Sequence, residues 1–185
     1  DPPNGFISGR GGISEVVNTT ITNSLSIKGL IRATSNEHVN INGCNFTRLV
    51  AEDQAALLFL VQNENGNVVI QNSKVEDTMS KSSLISMTFS NLIVANSTFN
   101  GNYATTSSNG ISMIYSNVEI WNSTIDNEMN RINFPAIMIK SVQAGFVNMN
   151  YQSTIKISNT TAKSLRAQAS SFLYATGSSS VEISN

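Results

Sequence analysis

The sequence predicts an all-β fold: a right-handed parallel β-helix, or solenoid, of about six to seven coils with a ladder of asparagines at one corner. Three observations support this prediction. A segment with alternating aliphatic residues recurs along the chain, asparagine recurs at one position within it, and a second short apolar element follows each complete copy. The composition agrees, because 25 Asn, 27 Ser and 15 Thr among 185 residues disfavour helices and suit strands and turns.

The repeated segment defines the coils. Its first residue, called offset zero, is aliphatic in every copy, and the six copies start 29, 24, 26, 37 and 26 residues apart. Offset two is also aliphatic in all six, and offset seven is apolar in the five complete copies. A constant pattern with a variable period is typical of a coil whose loops differ in length. The copies begin at Val39, Val68, Leu92, Val118, Ile155 and Val181.

Offset four is expected to form a corner of the coil. Offsets zero and two point to one face of a strand, yet the next apolar position is odd, so the chain has to turn between them. Asparagine and glycine tolerate the left-handed backbone that such a corner needs, and Gly43 stands there in the first copy. We expect the asparagines to turn inward and to hydrogen-bond from coil to coil. The predicted ladder comprises Asn72, Asn96, Asn122, Asn159 and Asn185.

A second strand is predicted in each coil, 16 to 19 residues after offset zero. In Glu52 to Val61 a short helix is the alternative, and we favour a strand because similar runs recur at the same offset. The longest period places its largest insertion around Lys140 to Thr154. The predicted second elements are Leu57–Val61, Leu84–Phe89, Ile111–Tyr115, Ile137–Ile139 and Phe172–Tyr174.

The domain organisation follows from the extent of the repeat. Residues 1–24 are predicted to be an N-terminal loop or cap region, and residues 25–185 a single β-helix domain. Because the sequence stops at Asn185, inside a strand motif and without a visible cap, we expect a fragment or repeat unit of a longer solenoid, or a second subunit stacked on that end.

The pattern resembles families with this fold. Asparagine ladders at a coil corner are similar to those of pectate-lyase-like β-helices. Phe99-Asn-Gly-Asn102 matches the F-x-x-N motif of polymorphic outer-membrane adhesin repeats, and Asn109-Gly110-Ile111 resembles their G-G-A-I motif. The resemblance covers about residues 25 to 185 and implies the fold, without specifying the family. A β-sandwich, the alternative, explains the alternation but not the recurring asparagine.

Catalytic and metal-binding patterns are weak. Glu76 and Asp126 share offset eight and could face one groove, but the intervening coil has Asn100 there, so we interpret both as solvated turn charges. His38 is the only histidine and Cys44 the only cysteine, and neither has a cluster of further ligands around it. We expect Cys44 to be a small buried residue, with an intermolecular disulfide as the alternative. The sequence predicts no catalytic residues, no metal and no cofactor.

Five sequons for N-glycosylation occur, about the number that chance predicts. Asn45 and Asn18 are the better candidates, because the predicted ladder turns Asn96, Asn122 and Asn159 inward.

These features predict a non-catalytic extracellular or cell-surface β-helix with a structural or adhesive role, as part of a larger surface protein or filament assembled by coil stacking. End-to-end self-association or a continuing solenoid is the expected partnership, with glycans as attachments. The low, balanced charge argues against nucleic acid, and the longest apolar run, seven residues, is too short for a membrane span. The alternative is a carbohydrate-binding or polysaccharide-cleaving β-helix with its site in the loops. Trp121 and the tyrosines could stack on sugars, and the alternative for Trp121, at offset three, is that it covers an outer strand face.

Overall fold

The chain forms an all-β solenoid of about six turns. The computed structural model describes residues 7–10, 12–27, 29–35, 37–126, 145–165, 167 and 169–185, and that part of the chain contains strands and loops but no helix. Accordingly, the described residues include no helix long and apolar enough to cross a membrane. The strands are β1 (Ile7–Arg10), β2 (Ile13–Val17), β3 (Thr20–Thr22), β4 (Leu25–Ser26), β5 (Ile31–Thr34), β6 (His38–Asn42), β7 (Asn45–Thr47), β8 (Val50–Ala51), β9 (Ala55–Gln71), β10 (Lys74–Glu76), β11 (Met79–Ser80), β12 (Ser83–Ala95), β13 (Thr98–Asn100), β14 (Tyr103–Ala104), β15 (Ile111–Ile114), β16 (Asn117–Trp121), β17 (Thr124–Asp126), β18 (Val147–Asn150), β19 (Thr154–Ser158), β20 (Thr161–Lys163), β21 (Leu173–Ala175) and β22 (Ser180–Ser184).

Three parallel sheets surround the core. Sheet 1 has twelve strands in two columns: β1, β5, β9, β12, β15, β18 and β21 form the first, and β2, β6, β16, β19 and β22, with the second halves of β9 and β12, form the second. Sheet 2 contains six strands, in the order β20-β17-β13-β10-β7-β3, and sheet 3 contains β14-β11-β8-β4. The registers join equivalent residues of successive coils, so the six copies of offset zero form one row across sheet 1. This confirms the predicted repeat.

The core consists of the predicted aliphatic rows. Offsets zero and two are almost fully buried from Val39 through Ile157, and offset seven adds Phe46 and Phe99. Burying each such side chain stabilises the fold by about 1.5–3 kcal/mol. Along the axis the rings of Phe99, Phe146 and Phe172 are neighbours, with centroids 6.2 and 6.3 Å apart. The core is therefore a set of identical rows that repeat from coil to coil.

Among the described residues, left-handed positions form three kinds of corner that recur along the solenoid. Corner A separates the two columns of sheet 1, corner B joins sheet 1 to sheet 2, and corner C joins sheet 2 to sheet 3. The φ angles are close to +50°, which explains why Asn and Gly are common at these positions. Corner A contains Ser35, Gln62, Phe89, Tyr115, Gln152 and Ser178; corner B contains Asn18, Gly43, Asn72, Asn96, Asn122 and Asn159; corner C contains Asn23, Arg48, Asp77, Gly101 and Ser164.

The inward polar column at corner B is one residue beyond the asparagines, at offset five. Ser97 is 2% exposed; its Oγ donates to the carbonyl of Ala95 (2.8 Å) and accepts the backbone N–H of Ser73 (3.2 Å). Ser73 and Ser123 repeat the arrangement. Cys44 precedes Ser73 in the same column, and Thr160 follows Ser123, each in the adjacent coil. These hydroxyls satisfy buried backbone groups that the turn removes from the sheet.

The predicted inward direction of the asparagine ladder is therefore wrong. Asn72, Asn96, Asn122 and Asn159 have the expected left-handed backbone, but their side chains are exposed. Two hydrogen bonds between side-chain amides run along the outside of the solenoid. Asn96 Nδ2 donates to Asn72 Oδ1 (3.4 Å), and Asn72 Nδ2 donates to Asn42 Oδ1 (3.0 Å). Asn185 is exposed as well. A ladder through all five predicted asparagines is not confirmed. A left-handed residue turns its own side chain outward, and the following residue then points inward.

The boundaries differ from the prediction at two places. Strands β1, β2 and β3 lie within residues 1–24 and pair in parallel with the next coil, so the solenoid extends into the predicted loop or cap region. In the long fourth period the second strand is β18, and β19 already begins at Thr154. The predicted element Ile137–Ile139 and the start of the predicted insertion at Lys140 lie outside the described residues.

The Glu52–Val61 segment leads into β9, so the helix alternative is wrong.

The F-x-x-N motif has a structural explanation. Phe99 is buried in the core, and Asn102 is the inward residue after corner C, 1% exposed. Its Nδ2 donates to the carbonyl of Val75 (3.2 Å), and its Oδ1 accepts from Thr78 Oγ1 (2.9 Å). Asn102 therefore does at corner C what the serines do at corner B.

Candidate functional site

Corner A exposes a stack of aromatic rings. The Phe89 and Tyr115 rings are parallel within 2°, with centroids 4.9 Å apart, and Tyr151 stacks on Tyr115 at 5.6 Å. Phe89, Tyr115 and Tyr151 are 37%, 42% and 56% exposed. Their spacing follows from the coil repeat of about 4.8 Å, since each ring comes from a successive coil. Three neighbouring aromatic rings thus lie open to solvent on a surface that is otherwise mostly polar.

The backbone under this stack is strained. Phe89 and Tyr115 have φ angles of 49° and 48°, in a region that costs a bulky L-residue about 1–2 kcal/mol. The corresponding positions of corner B contain Asn or Gly, which avoid this cost. Stacking of each pair of rings stabilises the corner by about 0.5–1.5 kcal/mol and so offsets part of this cost. Because the fold would accept a small residue here, the aromatic side chains point to a role beyond stability.

A ridge of amides runs beside the stack. Asn91 and Asn117 are adjacent in register at the start of the second column of sheet 1, and Asn117 Nδ2 donates to Asn91 Oδ1 at 3.0 Å. Asn91 Nδ2 in turn donates to the carbonyl of Glu64. Each amide still has donor or acceptor capacity that faces outward.

Open grooves lie on both sides of the amide ridge. The first, about 350 Å³, lies between the ridge and the aromatic stack, with Glu64 and Gln152 also in its wall. The second, about 340 Å³, lies on the sheet side of the ridge, where Asn67 and Glu119 add polar groups. Together they form a shallow surface along the solenoid axis, which we call the corner A groove. An extended ligand could follow it from coil to coil.

The chemistry of the corner A groove is mostly neutral. Its walls offer aromatic carbon, amide donors and acceptors and the phenol of Tyr115, with Glu64 as the single carboxylate in the first groove. Such walls suit a ligand that is rich in hydroxyl groups and has apolar C–H faces, because hydroxyls both donate and accept and C–H faces pack on aromatic rings. A polyanion would meet no lysine or arginine among the residues that line the two grooves.

The acidic pair singled out in the sequence does share a column. Glu76, Asn100 and Asp126 are in register on sheet 2, with Asn100 in the middle as expected. Each carboxylate has its own lysine: Lys74 Nζ lies 2.8 Å from Glu76, and Lys163 Nζ lies 3.0 Å from Asp126. The two carboxylates are thus separate ion-paired groups on the sheet surface.

The remaining predicted residues are dispersed. Cys44 is buried in the inward column at corner B, as expected for a small buried residue, and its Sγ lies 3.2 Å from the Val16 carbonyl. His38 is exposed, and its Nδ1 accepts the backbone N–H of Asn67. Within the described residues no three His, Cys, Asp or Glu side chains converge on a common point. Trp121 is half-buried on the outside of sheet 1, beside Lys156 and Glu182.

The sequence contains a signal for the aromatic stack. Phe89-Ser-Asn-Leu92 and Tyr115-Ser-Asn-Val118 have the same order of aromatic, serine, asparagine and aliphatic residues, directly before offset zero. The third ring, Tyr151, is displaced by one residue, because both Tyr151 and Gln152 are left-handed. These two residues belong to the predicted Lys140 to Thr154 segment, so that segment does reach the groove.

Comparisons with family models, with curated proteins and with solved structures gave no significant match for this chain.

Proposed function

We propose that this protein is a non-catalytic adhesive module of an extracellular or cell surface, and that its corner A groove binds a neutral carbohydrate chain. The observation that carries the proposal is the exposed stack of Phe89, Tyr115 and Tyr151 beside the Asn91–Asn117 ridge. A rigid solenoid supports this role, because its sheets hold both rows in register and no loop has to order when a ligand binds.

Repetition along the axis supports an extended ligand. Three successive coils each offer one ring, and two of them add a ridge asparagine, so a chain of similar units meets similar contacts from coil to coil. Single contacts of this kind are weak, and several in a row add affinity. The proposal therefore assigns carbohydrate binding and adhesion to the same surface, which lies at a corner between strands.

Binding to immobilised polymers tests the proposal. The purified chain is passed over neutral polysaccharides, such as glucans, mannans and xylans, and over the charged polymers pectate and heparin. We expect retention on at least one neutral polymer. We expect Tyr115→Ala to weaken it about tenfold, which corresponds to about 1.4 kcal/mol. Asn117→Ala should also weaken binding, because it removes the exposed end of the amide ridge.

Two control variants separate binding from folding. Tyr115→Phe keeps the stack and removes only the hydroxyl, so it should retain most of the affinity. Tyr103→Ala removes a half-buried tyrosine of sheet 3 and should leave binding unchanged. Retention by no neutral polymer, or equal binding by the Tyr115→Ala variant, would contradict the proposal. Shortened polymer chains after incubation would instead favour the polysaccharide-cleaving alternative.

Coil stacking is a second candidate role, favoured by a separate observation. Val181 and Ile183 of β22 are 41% and 60% exposed, whereas Ile155 and Ile157 in the same rows are 0% and 4% exposed. A parallel coil of a second copy, stacked on this edge, would cover them. Light scattering of the purified chain tests self-association, with Ile183→Asp as the variant expected to abolish it. A monomer at high concentration would contradict self-association through this edge.

A further inference from the structure

We propose that corner B is a modification site, a stripe of N-linked glycans on Asn96, Asn122 and Asn159, with Asn18 as a further acceptor. The proposal uses the extracellular localisation proposed above but does not depend on the corner A groove. It also reverses the ranking expected from the sequence, where Asn45 stood above the corner asparagines.

Exposure supports the corner asparagines as acceptors. Asn18, Asn96, Asn122 and Asn159 are all exposed, and each has a left-handed backbone with φ between 46° and 49°. The amide therefore projects from the outside of a turn. In contrast, Asn45 is half-buried in strand β7, flanked in register by Thr20 and Lys74. A glycan on Asn45 would have to displace side chains on the sheet face, whereas a glycan at the corner would extend into solvent.

Each residue of a corner sequon also has a place in the fold. In Asn122-Ser-Thr124 the asparagine makes the turn, Ser123 Oγ points inward and donates to the carbonyl of Trp121, and Thr124 starts strand β17. The same order occurs at Asn96 and Asn159. Thr98, Thr124 and Thr161 consequently form a column in register on sheet 2. The hydroxyl that a sequon requires two residues after asparagine is thus supplied by a regular position of the coil.

The chemistry needs a donor from outside the protein. The new bond joins Asn Nδ2 to the anomeric carbon of an oligosaccharide, and the bond that breaks joins this carbon to a phosphate oxygen of a polyisoprenyl-diphosphate donor. The lipid diphosphate leaves with the electron pair, and the displaced amide proton goes to a base of the transferase. The modified amide keeps one N–H, so a modified Asn96 can still donate to Asn72 Oδ1, as the unmodified side chain does.

The stripe would leave the corner A groove open. Corners A and B are at opposite ends of the second column of sheet 1, and from Asn117 to Asn122 the chain spans about 16 Å at 3.3 Å per residue. Asn96, Asn122 and Asn159 are on successive coils, about 4.8 Å apart along the axis, so their glycans would lie side by side. One edge of the sheet would be covered and the other would stay free to bind.

The test is secretion of the full chain from a eukaryotic cell line, followed by glycopeptide mass spectrometry after enzymatic release in heavy-oxygen water. We expect Asn96, Asn122 and Asn159 to be modified, and Asn45 to be modified least. Thr124→Ala should abolish modification at Asn122, and Thr124→Ser should retain it. The secreted protein should show the circular dichroism of a β-solenoid in both variants.

The chain offers a matched gain-of-modification control. Asn72 has the same corner geometry and exposure as Asn96, but Lys74 follows two residues later where a sequon needs a hydroxyl. Lys74→Thr should therefore add one glycan, at Asn72. Folded secreted protein with unmodified Asn96, Asn122 and Asn159, or with glycans on Asn45 alone, would overturn the proposal, and so would Lys74→Thr without modification of Asn72. Loss of polysaccharide binding with normal glycosylation would count against the groove instead.

Discussion

Replacement of Ser97 by alanine should destabilise the solenoid more than the loss of one small hydroxyl group suggests. Ser97 is 2% exposed, accepts the backbone N–H of Ser73 at 3.2 Å and donates to the carbonyl of Ala95 at 2.8 Å. The Ala95 carbonyl keeps a second donor, the backbone N–H of Asn72 at 3.1 Å. The N–H of Ser73, on a residue that is 4% exposed, would lose its partner. A buried unpaired donor costs about 1–3 kcal/mol, which is the expected loss in the free energy of unfolding.

Urea unfolding followed by circular dichroism measures this loss, with a matched control that the chain itself suggests. Thr160 occupies the same column, so Ser97→Thr should keep both hydrogen bonds and cost less than Ser97→Ala. Because solenoids open locally, hydrogen exchange of the Ser73 amide should also accelerate in the alanine variant. If Ser97→Ala changed the stability by less than about 0.5 kcal/mol, or if both variants lost the same stability, the inward column would not have the role assigned to it.

Three further predictions concern the core and the corners. Phe99→Ala should cost about 3–5 kcal/mol in urea unfolding, because it leaves a cavity in the aromatic row of the core, and Phe99→Leu should cost clearly less. At corner B, Asn122→Gly should change the free energy of unfolding little. Asn122→Val should lower it by about 1–2 kcal/mol, because a β-branched residue is strained at a φ of 49°. Equal effects of the two substitutions would contradict the corner assignment. Asn102→Ala should cost about 1–3 kcal/mol by leaving the carbonyl of Val75 and the hydroxyl of Thr78 without their amide partner, and an unchanged midpoint would contradict this.

The repeat could be predicted from sequence because its signal is hydrophobic and periodic. Offsets zero, two and seven each require an apolar side chain, so the same three apolar positions recur in the coils from Val39 to Ile157. The left-handed corner was also predictable, since few residue types other than Asn and Gly accept that backbone without cost. The strands that contain offsets zero and two, and their register from coil to coil, followed from these two features.

The direction of the asparagine side chains was not predictable from alternation. Alternation holds within a strand, but a left-handed residue resets it, and the reset places offset five inward in addition to offset seven. Ser73, Ser97 and Ser123 were visible after the asparagines, yet a small polar residue gives no hydrophobic signal for burial. Only the contacts of their hydroxyls with the next coil show why they are inside.

The candidate site was harder to predict because it lies at a corner that follows no consensus. Corner A has Gln62, Phe89, Tyr115 and Gln152 in successive coils, so its column is recognisable only once the strands are aligned. The extra left-handed residue in one coil moves Tyr151 out of the sequence pattern but leaves its ring in the stack. Position along the axis, and not spacing in the chain, brings these side chains together.

Chemical-shift mapping tests the central claim, carbohydrate binding in the corner A groove, most directly. The ¹⁵N-labelled chain is titrated with a short oligosaccharide of the neutral polymer that retains it. The account predicts saturable shifts of the backbone amides of Phe89–Asn91 and Tyr115–Asn117, with the corner B amides of Asn96 and Asn122 unchanged. Saturable shifts confined to another surface, or no shifts at any concentration of the oligosaccharide, would contradict it.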